Sequence, residues 1–224
     1  MIVPVFDLDD TLYNEMTFVQ SGFRAVARFL QEAQAVPEAD ILAFMLEELT
    51  LHGRGKVFDQ VLMRYKIHSK RMVAACIQVY RAHEPDIALY EDAVRAIERL
   101  AEYPIYIVTD GNKHVQAAKL KALGLYDNPR IRKCYITRRY GIHNEKPSPY
   151  CFQHICRLEG AMPEQVVYFG DNPHKDFVGI KPLGFRTVRV MRGAHAHINK
   201  SDEFEAELRL NSLDEFDALS FFNL

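Results

Sequence analysis

The sequence predicts an α/β fold: a parallel sheet, doubly wound by helices on its two faces in the Rossmann-like manner, with an α-helical subdomain inserted into it. Short apolar, β-branched runs recur at residues 2–6, 105–108, 134–136, 166–169 and 187–190. Segments of helical periodicity separate them, which is the alternation that βαβ units produce. The runs are almost free of polar residues, as strands covered on both faces must be. One interval breaks the rhythm, because residues 15 to about 83 show helical patterns and no strand.

Taken in order, the first strand at 2–6 passes directly into an acidic turn. The interval after it carries four apolar stripes. Phe18, Phe23, Val26, Phe29 and Leu30 form the first, and residues 41–49, 57–65 and 72–80 the others, with Gly53 and Gly55 punctuating the middle. Pro85 marks the return, since the residue before a proline resists helix. The division predicted is therefore a core of residues 1–14 and 86–224 with a helical insertion at 15–85. Beyond it, residues 91–102 place Ala93, Ile97 and Leu100 on one helical side. A helix at 113–123 stops at Gly124, and another at 149–158 stops near Gly160. In the tail, Leu208, Leu210, Leu213, Phe216, Leu219 and Phe221 read as helical packing onto the core.

Composition excludes several functions. With 224 residues and 48% hydrophobic content the chain buries a full core without a metal or disulfide staple. Lysine and arginine number 28 against 30 acidic residues, a net charge of -2, so the broad basic face of a nucleic-acid binder is not expected. Cys76, Cys134, Cys151 and Cys156 include no C-x-x-C pair and read as reduced, mostly buried thiols. The N-terminal run meets Asp7 too soon to be a signal peptide. No segment approaches the roughly 18 apolar residues of a membrane span. A cytoplasmic protein without a membrane partner, monomeric or homodimeric, is expected.

Four segments carry chemistry. The first strand ends in Asp7-Leu8-Asp9-Asp10-Thr11, and residues two apart in extended chain share a face, so Asp7 and Asp9 converge at the carboxyl end of the sheet. Open α/β sheets bind ligands there. Two close carboxylates call for a divalent metal or for an acid with a raised pKa, although an Asp-rich turn also caps helices. The second strand ends in Thr109-Asp110-Gly111-Asn112 before a helix. There a hydroxyl and backbone N–H groups fit a phosphate cradle as well as a helix cap. Lys146, in Glu145-Lys146-Pro147, is held in extended backbone by the proline. The fourth strand ends in Gly170-Asp171-Asn172-Pro173-His174-Lys175-Asp176, whose carboxylates are hard ligands suited to Mg²⁺.

The order and setting of these segments resemble the haloacid dehalogenase-like hydrolase superfamily. Its strand-DxDxT, strand-[ST], Lys and strand-GDxxxxD pattern is met by Asp7/Asp9/Thr11, Thr109, Lys146 and Gly170/Asp171/Asp176. The resemblance spans nearly the whole chain, the helical insertion standing where the family carries a cap. It implies that Asp7 is a nucleophile forming an aspartyl-phosphate and that Asp9 is the acid and base. Thr109 and Lys146, with the backbone of Asp110 and Gly111, would hold the phosphoryl group. It implies Mg²⁺ on Asp7, on the Asp9 carbonyl and on Asp171, with Asp176 orienting Lys146 or a metal-bound water. Because Asp9 is retained, a phosphatase acting on a small phosphate ester, a sugar phosphate or a nucleoside monophosphate, is favoured over a dehalogenase, whose halide leaves without a proton. A phosphomutase is a further rival among enzymes, and a non-catalytic binding or regulatory module on this fold is the rival outside them.

Fainter signals lie elsewhere in the chain. Arg54, in the glycine-flanked loop between two insertion helices, is a candidate contact for the non-reacting part of the substrate. Arg130, Arg132, Lys133, Arg138 and Arg139 read as a solvated basic face, and His195 and His197 as surface residues. His114 and His174 adjoin the motifs and are candidates to line the pocket.

Overall fold

Strands buried on both faces need partners on both edges, and β1 (Val3–Phe6), every residue of which is buried, has them. The computed structural model describes residues 2–34 and 36–222. In it β1 pairs in parallel with β2 (Ile105–Thr109) on one side and β4 (Val166–Gly170) on the other. β3 (Ile131–Ile136), β5 (Arg186–Val190) and β6 (Leu208–Leu210) complete an all-parallel sheet in the order β3-β2-β1-β4-β5-β6. That order reverses direction between β1 and β4, which makes their carboxyl ends a topological switch point.

Alternation along the strands divides the core. Val3 and Val5 join Tyr106, Val108 and Tyr168 on one face, against Phe152 and Ile155 of α7 (Tyr150–Glu159). On the other face Phe6 stacks on its register partner Phe169 with ring centroids 4.6 Å apart, and Phe216 meets Phe169 edge-on at 4.7 Å.

The chain forms two compact units, residues 1–15 with 88–224, and residues 16–87. The helical region between β1 and β2 comprises α1 (Glu15–Gln34), α2 (Glu38–His52), α3 (Val57–Arg64), α4 (Lys70–Ala82) and α5 (Glu91–Arg99). Within the second unit Phe23, Val26, Leu30, Ile41, Met45, Val61, Leu62 and Cys76 are buried together. Gly22 lets α1 approach α4, because a Cβ there would meet the Tyr80 ring at 2.5 Å. Gly53 ends α2 at φ 72, and Ser69 caps α4 by accepting from the Met72 N–H at 3.1 Å. α6 (Lys113–Ala122) connects β2 to β3.

Two expectations are corrected. The tail is not simply helical: Leu208 and Leu210 pair with Val188 and Val190 as a sixth strand. Leu213–Glu215 is a 3-10 turn, and only Ala218–Phe222 (α8) is helix. Leu-Arg-Leu alternates with period two, but three residues are too few to separate a strand from one turn of helix. The Leu219 side chain lies outside the described residues. β3 also begins three residues earlier than its apolar run, because exposed Arg132 and Lys133 are tolerated on an edge strand. The four cysteines are unpaired, and no helix among the described residues is long and apolar enough to cross a membrane.

Leu30 is fully buried in the helical unit, so Leu30→Ala should cost about 2–5 kcal/mol in urea unfolding followed by circular dichroism. A loss below about 1 kcal/mol would contradict this packing.

Candidate active site

The Asp7 N–H donates to the Phe169 carbonyl at 2.8 Å, carrying the β1–β4 pairing one residue past Phe6 and delivering the Asp7 side chain to the carboxyl edge. Thr109 closes β2 and Asp171 follows β4 on the same edge. There Asp7, Asp9, Thr109, Asp110, Gly111, Lys146 and Asp171 line one crevice of about 430 Å³.

Beneath the crevice lies an excess of buried negative charge. The Asp7, Asp171 and Asp176 carboxylates have oxygens within 4.8 Å of one another, and all three residues are buried. Lys146, itself buried, places Nζ 2.9 Å from Asp7 and 2.7 Å from Asp176, and donates to the Tyr168 hydroxyl at 2.7 Å. Its own N–H donates to Asp110 at 3.1 Å, and Asp176 accepts from the Asn172 N–H at 2.9 Å. One ammonium cannot balance three carboxylates. Burial pushes Asp7 up to about 7 although Lys146 pulls it down, with Asp176 adding to the rise. Burial, then Asp176 and Asp7, push Asp171 up to about 9. Converging hard oxygens that titrate so reluctantly fit a divalent cation.

The Asp9 carboxylate takes a different course and faces α6. Lys119 Nζ lies 2.6 Å from its Oδ1, the Tyr13 hydroxyl donates to the same oxygen, and Gln116 Nε2 donates to Oδ2 at 2.9 Å. Burial acts to raise the Asp9 pKa, but Lys119, Tyr13 and Gln116 together outweigh it and hold the group below the ordinary carboxylate value. Gln116 Nε2 also donates to Thr109 Oγ1 at 2.6 Å. Thr109 is not the cap of α6, since Asn112 accepts from the N–H groups of His114 and Val115.

Neighbouring side chains fix the walls. Asp110 accepts from Lys175 and Thr137, each at 2.8 Å. Asp10, at φ 51, is the residue that serves the turn: it accepts from the Glu15 N–H at 2.9 Å and the Ala194 N–H at 3.2 Å. Gly193, at φ 68, must be glycine, because a Cβ there would collide with the Asp10 side chain. Fully buried Arg189 donates to the Asp171 carbonyl at 3.2 Å and the His195 carbonyl at 2.6 Å, and pairs with Glu205 at 2.6 Å. The Thr11 hydroxyl is buried without a hydrogen-bond partner.

The structure thus brings Asp7, Asp9, Thr109, Asp110, Gly111, Lys146 and Asp171 together, with Asp176 behind Lys146. Arg54 occupies the exposed turn between α2 and α3 of the helical unit. His195 lines the crevice instead of lying on the surface, drawn in by the Arg189 bond to its carbonyl, and Arg138 lines it too, paired with Glu145 at 2.6 Å. His114 and His174 are exposed. Tyr13, Gln116 and Lys119 belong to no motif, and Lys175 fills an unspecified position of the Gly170–Asp176 segment, so no motif position singles them out. The signal available was that Gln116 and Lys119 share a face of α6 with buried Leu120, polar residues on a stripe that should be apolar.

The family description "haloacid dehalogenase-like hydrolase" matches residues 4–184. The chain belongs to that family. This hydrolase is 30% identical over 202 residues to a glyceraldehyde 3-phosphate phosphatase of Methanopyrus kandleri, covering 85% of this chain and 84% of that one. A glyceraldehyde 3-phosphate phosphatase of Methanocaldococcus jannaschii is 28% identical, with 94% and 93% covered. Among solved structures, the HAD-hydrolase YfnB of Bacillus subtilis bound to magnesium matches with a TM-score of 0.66 at 19% identity, covering 100% of this chain and 99% of that one, a likeness of fold.

The raised carboxyls set a pH dependence. Raised in the fold, they favour folding while protonated and lose that contribution as pH climbs through about 7 for Asp7 and about 9 for Asp171. A cation must displace those protons at low pH. Mg²⁺ should therefore raise the melting temperature more at about pH 8 than at about pH 5.5 in differential scanning fluorimetry. An equal or larger shift at the lower pH would contradict the assignment.

Proposed function

We propose that this hydrolase cleaves small phosphate monoesters through a phosphorylated Asp7. The observation that carries the proposal is the convergence on one crevice of Asp7, paired with Lys146 at 2.9 Å, with the Thr109 hydroxyl and a second carboxylate, Asp9. The phosphatase activity named for the Methanopyrus and Methanocaldococcus relatives supports the same reading and favours a small sugar phosphate.

In the first step an Asp7 carboxylate oxygen forms a bond to phosphorus as the ester P–O bond breaks. The electron pair goes to the leaving oxygen, which takes a proton from Asp9; that carboxylate must first take one up from solvent, because Lys119, Tyr13 and Gln116 favour its anion in the free enzyme. In the second, a water oxygen bonds to phosphorus, Asp9 takes its proton, and the pair of the Asp7–phosphorus bond returns to the carboxylate. Covalent catalysis of this kind splits one difficult displacement into two easier ones. Thr109 accepts from Gln116 and keeps its own hydrogen to donate to a phosphoryl oxygen. Lys146 binds the phosphoryl group while Asp176, 2.7 Å away, keeps its ammonium aimed. Mg²⁺, held by Asp7, Asp171 and the Asp9 carbonyl, would supply the positive charge that lets an anionic nucleophile meet an anionic ester.

The helical unit is assigned the role of a cap, and Arg54 that of binding the non-reacting part of the substrate. Arg54→Ala should raise KM for the physiological ester while leaving kcat near its original value, and an unchanged KM would remove Arg54 from the site.

Phosphate release from a panel of phosphorylated metabolites, read colorimetrically, tests the activity itself. Asp7→Asn should abolish turnover, and Asp9→Asn should slow it by about 10²–10⁴-fold. Robust turnover by Asp7→Asn would overturn the mechanism, and an isomerised ester without free phosphate would identify a mutase.

A further inference from the structure

Lys119 is 3% exposed and Gln116 2% exposed, and both direct their polar ends at Asp9 from adjacent turns of α6. Burying an ammonium and an amide on the inward stripe of a helix is costly unless each is fully engaged, so the arrangement demands a reason. Packing alone would be served better by two apolar residues.

The pattern of donors supplies one. A carboxylate has about two acceptor positions on each oxygen. On Asp9, Oδ1 receives both Lys119 Nζ and the Tyr13 hydroxyl, which fills it. Oδ2 receives Gln116 alone, at 2.9 Å. The same Gln116 nitrogen donates to Thr109 Oγ1 at 2.6 Å, so one amide spans the distance between Asp9 and the hydroxyl at the end of β2. Fixing these two groups to one planar amide sets where a proton on Oδ2 lies relative to an oxygen bound at Thr109.

We propose that Lys119 and Gln116 are positioning residues that fix the Asp9 carboxylate so that Oδ2 is the atom passing the proton to and from the leaving oxygen, in register with a phosphoryl group on Thr109. The inference rests on the phosphatase reading and adds to it two residues and one atom. Lys119 and Tyr13 occupy Oδ1 and prevent the carboxylate from rotating, while Gln116 sets the separation from Thr109.

The test uses the full-length enzyme with Mg²⁺ and two probes, glycerol phosphate and 4-nitrophenyl phosphate. An alkoxide leaves poorly without a proton, whereas nitrophenolate leaves unaided. Lys119→Met should therefore lower kcat/KM for glycerol phosphate by about 10–100-fold and for the aryl ester by less than about 3-fold, in the same direction as Asp9→Asn, while Gln116→Leu, which also releases Thr109, should lower it for both esters with a loss at least about 10-fold larger on glycerol phosphate. Lys119→Arg should recover part of the loss. The two substitutions act through different oxygens of one carboxylate, so a folding defect in either leaves the other to decide. Equal losses on both esters would mean a structural role, and no loss on either would mean none; each result overturns the inference while the phosphatase reading stands. A wild-type enzyme that hydrolyses neither ester overturns both.

Discussion

Everything in the site follows from the shortage of positive charge around Lys146. Its ammonium lies within 2.9 Å of Asp7 and 2.7 Å of Asp176, yet Asp171 shares the same buried volume, so the cluster stays anionic when fully ionised. Proteins avoid such arrangements unless a ligand completes them, because unpaired buried charge is among the costliest features a fold can carry. Here the cost appears as carboxyl groups pushed up to about 7 and about 9. A divalent cation would relieve it, and in the proposed mechanism the same lysine would shield Asp7 from the substrate's own charge.

The sheet makes that concentration of charge possible. Because β1 and β4 are neighbours although far apart in sequence, Asp7 and Asp171 leave adjacent strands at one edge, and the Asp7 N–H bonded to Phe169 locks their relative height. Phe6 stacked on Phe169 and Tyr168 beneath Lys146 brace the strand ends from within the core. Outside this floor the two carboxylates of the DxD motif part company. Asp7 faces the lysine, while Asp9 turns to α6 and is held anionic by Lys119, Gln116 and Tyr13. Two acids two residues apart thus acquire opposite shifts, the separation that distinct chemical roles require.

Much of this is legible in the sequence because strand ends in a parallel sheet translate directly into site positions. Asp7, Thr109 and Asp171 each follow or close a short apolar run. Pro147 singles out Lys146, although the backbone there is a turn and not the extended segment that a following proline implies. What escapes depends on three-dimensional pairing. Lys119 goes unmarked until its helix is docked, and His195 reads as a surface residue until Arg189 captures its carbonyl. The strand Leu208–Leu210 is too short to declare its period, and Arg138 enters the crevice through Glu145, seven residues on. Residue types at strand ends carry local information, whereas a buried cation on a helix face is explained only by the anion opposite it.

In the proposed mechanism the cation-deficient cluster makes Asp7 the group that is phosphorylated. Borohydride quenching of the enzyme during turnover, followed by peptide mass spectrometry, tests it most directly, since an acyl phosphate is reduced and an ordinary carboxylate is not. Homoserine is predicted at position 7 when Mg²⁺ and a phosphate ester are both present, and none when the ion is chelated. Reduction at another residue, or an unmodified Asp7 in an enzyme that is turning over, would contradict it.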